Sequence, residues 1–242
     1  MKKSKVLYIL YSFLLLMLIF VVVLIFLAFA SPVREVSFHA PNGKVIVDNY
    51  SASQLDSIEG KYTNVTIIPE YREVILTVLG NYPEFENVRI NFEYSSERTT
   101  MASRPDVLVS LIGDRTYNVF INNNKDFEGI LLSDVPRSAQ IGVIAHELAH
   151  ILQYEAYSNT GILQLGLMFL DEDSQKIFER ETDVRTISRG FGEHLKAWAQ
   201  YSMYDSPKAT QEYKEFKRRI YMSPKEIEEE MKNYSCYNES EK

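Results

Sequence analysis

Ile141-Gly142-Val143-Ile144-Ala145-His146-Glu147-Leu148-Ala149-His150-Ile151-Leu152 is the segment on which the fold turns. Ile141, Ile144, Ala145, Leu148, Ile151 and Leu152 recur at helical spacing, so the segment predicts a helix with its apolar side buried. His146 and His150 then lie four residues apart, and their rings leave one face a turn apart. That spacing lets both imidazoles reach one Zn²⁺ ion at about 2.0–2.1 Å. Glu147 leans beside the ion, where a carboxylate can take a proton from a water the metal activates. Two surface histidines on an ordinary helix are the plain alternative. The apolar flanks argue against it, and so does the placement of two of the chain's 4 histidines in one turn.

A catalytic zinc requires a third protein ligand and an open fourth position. The pattern that adds glycine three and histidine six residues after the second His is excluded, because Gln153 and Ala156 stand there. A glutamate from a later helix is the other solution, and Glu179-Arg180-Glu181-Thr182-Asp183 offers two. On the residues alone Glu179 and Glu181 compete, Glu181 sharing a helical stripe with Ile177 and Val184. H-E-x-x-H followed on a later helix by E-x-x-x-D resembles the gluzincin metallopeptidases. The likeness is to the bacterial membrane-associated group of the heat-shock peptidase and the CAAX prenyl endopeptidase. It spans roughly residues 141–190, and it leaves 31–135 unaddressed. The resemblance implies Zn²⁺ as cofactor, peptide-bond hydrolysis as activity and Glu179 as the third ligand. It also implies that Asp183, one turn further on, orients a ligating histidine. Transition-state stabilisation calls for a donor near the developing oxyanion. His194, after Gly190-Phe191-Gly192, is one candidate; Tyr154 and Tyr157 are others.

Working outward from this core, helical patterns follow at 172–189, 191–203, 207–221 and 224–233. Gly161 to Leu170 is apolar but too short to span a bilayer, and it reads as a core segment. Upstream, Pro69 opens a helix that runs through Leu79. Strand signals occur at Val45 to Val47, Val88 to Tyr94, Val107 to Ile112, Tyr117 to Asn122 and Gly129 to Leu132. Arg98 to Pro105 reads as a loop. Tyr117 to Asn122 or Gly129 to Leu132 would then supply an edge strand for pairing with extended substrate. Strands first and helices after give an α+β class, a zincin-like domain with a small sheet and a mostly helical C-terminal half. The divisions expected are an anchor at 1–30, a β-rich part at 31–135, a helical part with the metal site at 136–233 and a polar tail at 234–242.

The chain begins with Lys2, Lys3 and Lys5, and Val6 to Ala30 then contain no charged residue. Those residues would form a helix of roughly 37 Å, longer than the ~30 Å of bilayer hydrocarbon. A signal peptide cleaved after Ala28-Phe29-Ala30 is the competing reading, but its apolar stretch should be about 7–15 residues. With three lysines before the span and only Arg34 and Lys44 close behind it, the positive-inside rule puts the N-terminus in the cytoplasm. The rest of the chain is then extracytoplasmic, in a single-pass cell-membrane protein. A net charge of −7 overall, with +3 in the first 30 residues, leaves −10 for that remainder. Such an acidic surface argues against nucleic acid as a partner. Cys236 is the only cysteine, so no intrachain disulfide can form.

Three function classes remain. A zinc metallopeptidase would act on protein or peptide substrates outside the membrane, with Glu147 as general base. A zincin-like module could instead hold metal or bind partners at the membrane surface without cutting them. A tethered scaffold could carry the motif by chance. An intact Glu147 favours the first, because a binding module has no use for a general base.

Overall fold

The computed structural model describes residues 2–30, 50–106, 114–158, 161–162, 165 and 171–238. In the first helix, α1 (Lys2–Ala30, 29 residues), side chains are described at Tyr8, 10–23 and Phe26, all exposed. Among the described residues no helix is long and apolar enough to cross a membrane.

The sheet begins after α2 (Ala52–Glu59), which Ser51 and Gln54 start with a reciprocal capping box. Pro69 opens a 3₁₀ turn, Pro69–Tyr71, that leads into α3 (Arg72–Leu79). Every side chain from Val74 to Leu79 is buried, and Arg72 ties α3 to Asp56 and Glu59 of α2. The strands are β1 (Val65–Thr66), β2 (Arg89–Ser95), β3 (Met101–Pro105) and β4 (Thr116–Asn122), in the order β1-β2-β4-β3. β1, β2 and β4 run parallel, whereas β3 pairs antiparallel with β4 and forms the edge. Ile90, Phe92, Tyr117, Val119 and Ile121 turn to the core in the period-2 pattern of strands.

α4 (Arg137–Glu155) is buried on every face from Ile141 to Tyr154, the pattern of a central helix. It packs against β3 and α3 on one side and against the later helices on the other. Full burial of Ile144, Leu148 and Ile151 contributes about 1.5–3 kcal/mol each. Gly142 permits the closest of these approaches, because a Cβ there would lie 2.1 Å from the carbonyl oxygen of His194. α5 (Glu172–Thr186) starts at the Asp171 cap. A wider π-type turn, Ile187–Phe191, then bends the chain at Gly190, whose φ of 94° favours glycine. α6 (Gly192–Gln200), α7 (Gln211–Ile220) and α8 (Pro224–Met231) complete the helical half. A short turn of helix, Ser235–Asn238, follows in the stretch expected to be a polar tail.

Two expectations are overturned. Arg98 to Pro105 is not a loop throughout, since Met101–Pro105 is β3. Its own residues are weak strand formers and Pro105 ends it, so the pairing with β4 makes it a strand. Gly129 to Leu132 is not a strand. It leads into a 3₁₀ turn, Leu132–Asp134, with Ile130 and Leu132 buried as anchors. Neither segment expected to supply an edge strand does so: Tyr117 to Asn122 is central, and among the described residues β1 and β3 are the outer strands. Val45 to Val47 and Val107 to Ile112 lie outside the described residues. Of Gly161 to Leu170, the described Gly161, Ile162 and Leu165 are buried.

Candidate metal centre

α4 and α5 pack face to face and bring three side chains to one point. Ligand atoms of His146, His150 and Glu179 lie within 4.8 Å of one another, all three residues buried. Glu179 Oε2 is 3.1 Å from His146 Nε2 and 3.2 Å from His150 Nε2. Tetrahedral donors bonded at 2.0–2.1 Å stand about 3.3 Å apart, so these gaps suit one small divalent cation. The two rings meet edge to face, 4.7 Å between centres. Two imidazoles and a carboxylate form a donor set that borderline-soft metals prefer. Glu181, the competing glutamate, points away: its side chain is 55% exposed and 3.5 Å from Arg185.

The surrounding contacts hold the cluster. His146 Nδ1 lies 2.9 Å from Asp183 Oδ1, while Asp183 Oδ2 accepts the Met222 backbone N–H at 2.9 Å. Burial disfavours charge on His146, but the hydrogen bonds and negative charge of Asp183 and Glu179 prevail and push its pKa up to about 10. For Glu179 burial acts upward, and His150 and His146 outweigh it, holding the carboxyl far below its ordinary range. Tyr82, fully buried, donates its hydroxyl to the Ala145 carbonyl at 3.0 Å and so fixes α4 just before His146.

A cavity of about 650 Å³ opens onto the cluster. Glu147, His150, Glu179, Tyr154 and Tyr221 line it on the helical side, and residues of the β3 segment form the opposite wall. Glu147 is buried, and its Oε2 has no hydrogen-bond partner among the described residues. A buried carboxylate oxygen without a protein partner, next to three converging donor side chains, fits a site built to hold a metal ion and its water.

Among the described residues β3 is an edge of the sheet, and its residues line this cavity. The bonds Asn122 N–H to Thr100 O and Asp106 N–H to Thr116 O set the ladder, so Met101 and Ser103 turn their backbone groups outward. Their carbonyls are already engaged, by Thr99 Oγ1 and by the Tyr154 hydroxyl respectively. Among the described residues their N–H groups remain as the edge donors.

Among the other sequence candidates, Tyr154 stands in the cavity wall with its ring stacked near His150 and its hydroxyl spent on β3. His194 is not brought to the cluster; its Nδ1 lies 2.9 Å from Ser138 Oγ, two turns of α4 away. Tyr157 does not line the cavity, and its carbonyl receives Arg115. Tyr221 was not singled out by any pattern, as one of 16 tyrosines. It lines the cavity with its ring centre 5.7 Å from that of His146. Burial, then the charges of Glu179 and Glu147, push its phenol well above its ordinary pKa of 10 and keep it a donor. Lys217 Nζ stands 4.1 Å from the centre of the Tyr221 ring and backs it. Comparison of the chain with protein-family models, curated proteins and solved structures finds no match.

Proposed function

We propose that this chain is a zinc-dependent peptidase of gluzincin type, held at a membrane by its N-terminal helix. The observation that carries the reading is the convergence of His146, His150 and Glu179 next to an open cavity lined by His150, Glu179 and Glu147, whose carboxylate has an oxygen without a partner among the described residues. His146, His150 and Glu179 would hold Zn²⁺, which would supply Lewis acidity toward a carbonyl and an acidified water of pKa about 7. The chain's own groups do the rest. Glu147 takes the proton of the attacking water through its free oxygen and returns it to the leaving amine. Tyr221, a phenol kept protonated in the cavity wall, donates to the developing oxyanion. The outward N–H groups of Met101 and Ser103 receive an extended peptide along the β3 edge.

The test is cleavage of a denatured protein by the purified full chain. Activity should vanish with a chelator and return with Zn²⁺. Glu147→Gln should keep the metal and lose roughly 10²-fold or more in rate. Metal-independent cleavage, or an active Glu147→Gln chain, would remove the peptidase reading.

Anchoring rests on the uncharged run Val6 to Ala30 behind three lysines, within the helix Lys2–Ala30. The full chain should resist carbonate extraction from membranes, with residues after Ala30 open to external protease. A soluble product beginning at Ser31 would show a cleaved signal peptide instead.

A further inference from the structure

Asp183 faces one histidine; the other is held by groups that the H-E-x-x-H and E-x-x-x-D patterns do not specify. Thr182 Oγ1 lies 3.1 Å from His150 Nδ1, 2.7 Å from Gln153 Oε1 and 3.0 Å from the Phe178 carbonyl. Gln153 Nε2 in turn lies 3.3 Å from Glu181 Oε2. Thr182 and Gln153 are almost wholly buried, at 0% and 1% exposure, so their contacts with each other and with His150 do not compete with water, whereas Glu181 at the outer end is solvated.

We propose that Thr182 is the positioning residue of His150, the centre of a relay running from Glu181 through Gln153 and Thr182 to the metal ligand. The proposal rests on the metal-centre reading above. Bond directions follow from elementary donor and acceptor rules. A carboxylate only accepts, so the Gln153 amide must face Glu181 with its NH₂ group. Its oxygen therefore faces Thr182, and an amide oxygen also only accepts. The Phe178 carbonyl is likewise an acceptor. The single hydroxyl proton of Thr182 is committed to those two oxygens, which leaves only lone pairs toward His150. Nδ1 of His150 consequently carries the ring proton and donates it to Thr182. Nε2 is then the nitrogen presented to the metal beside Glu179.

One five-residue stretch of α5 thus supplies a ligand, Glu179, and the orienting groups of both histidines, Thr182 for His150 and Asp183 for His146. The two orienters differ in kind. His146 faces a carboxylate and His150 a neutral hydroxyl, so only one imidazole gains electron density from a full charge. Glu181, which competes for the ligand role on the sequence, is the outer end of the relay.

The experiment measures divalent-metal affinity of the full chain by competition with a chromophoric chelator, together with the visible spectrum of the Co²⁺-loaded form. Thr182→Val keeps the shape and removes the hydroxyl; affinity should fall about 10- to 100-fold and the cobalt bands should move. Thr182→Ser should restore both to near wild type, which a purely packing role for threonine would not produce. Gln153→Met leaves the Phe178 carbonyl to take the hydroxyl proton, so it should fall between wild type and Thr182→Val. It carries the test alone if the valine variant does not fold. Wild-type affinity in Thr182→Val, no rescue by serine, or an unchanged cobalt spectrum in Gln153→Met would each overturn the relay while leaving the metal site standing. A wild-type chain that binds no divalent metal would instead sink the site reading, and the relay with it.

Discussion

Replacing Asp183 with asparagine swaps one acceptor for a donor at a point where two donors already converge. Asp183 is buried and takes His146 Nδ1 on one oxygen and the Met222 N–H on the other, each at 2.9 Å. An amide has one oxygen, so it can serve only one of them. If that oxygen stays on Met222, the NH₂ group faces His146 and favours the tautomer with a bare Nδ1, which puts the ring proton on Nε2 where a metal must bind. If it turns to His146, a buried backbone N–H loses its partner, at a cost of about 1–3 kcal/mol. The first arrangement should lower metal affinity about 10- to 100-fold, or roughly 1.4–2.8 kcal/mol. The second should appear as a fall in Tm of several degrees for a chain of this size. Chelator competition and thermal unfolding, with and without Zn²⁺, read the two apart. An Asp183→Asn chain that matches wild type in both affinity and Tm would refute the orienting role.

Glu179→Ala should abolish stoichiometric metal binding and activity together, whereas Glu181→Ala should retain both, with affinity reduced no more than several-fold; metal analysis of the two variants decides, and the reverse order would mean that α5 is rotated from the arrangement described. The metal-free chain should lose stability as the solution turns alkaline. His146 has a folded pKa raised from 6.5 to about 10, so its contribution is complete below about pH 6.5 and disappears as pH climbs through about 10, on the order of a few kcal/mol. Metal affinity should move the opposite way over the same window, because binding displaces that proton: about tenfold tighter per pH unit between 7 and 9. Titrations in that range check both trends, and a flat affinity would show that His146 is neutral in the metal-free protein.

The helix from Ile141 to Leu152 and the shared face of His146 and His150 are legible in the sequence because both depend on a 3.6-residue repeat within one segment. Pro69 marks a helix start for the same local reason, fixing the backbone within its own turn; the caps at Ser51 and Ser223 are shown by the structure. The α+β order of strands and helices is likewise visible along the chain. The edge of the sheet is not. Met101–Pro105 becomes a strand by pairing with β4, and its own residues do not announce it. The choice of Glu179 over Glu181 also waits on packing, since two carboxylates two residues apart differ only in which side of α5 turns to α4. Tyr221, Thr182 and Gln153 join the site from three different segments, and no periodicity links them. Local regularities are written in neighbouring residues. A metal site is written in the contact between helices that the core forces together, and that contact exists only once the chain has folded.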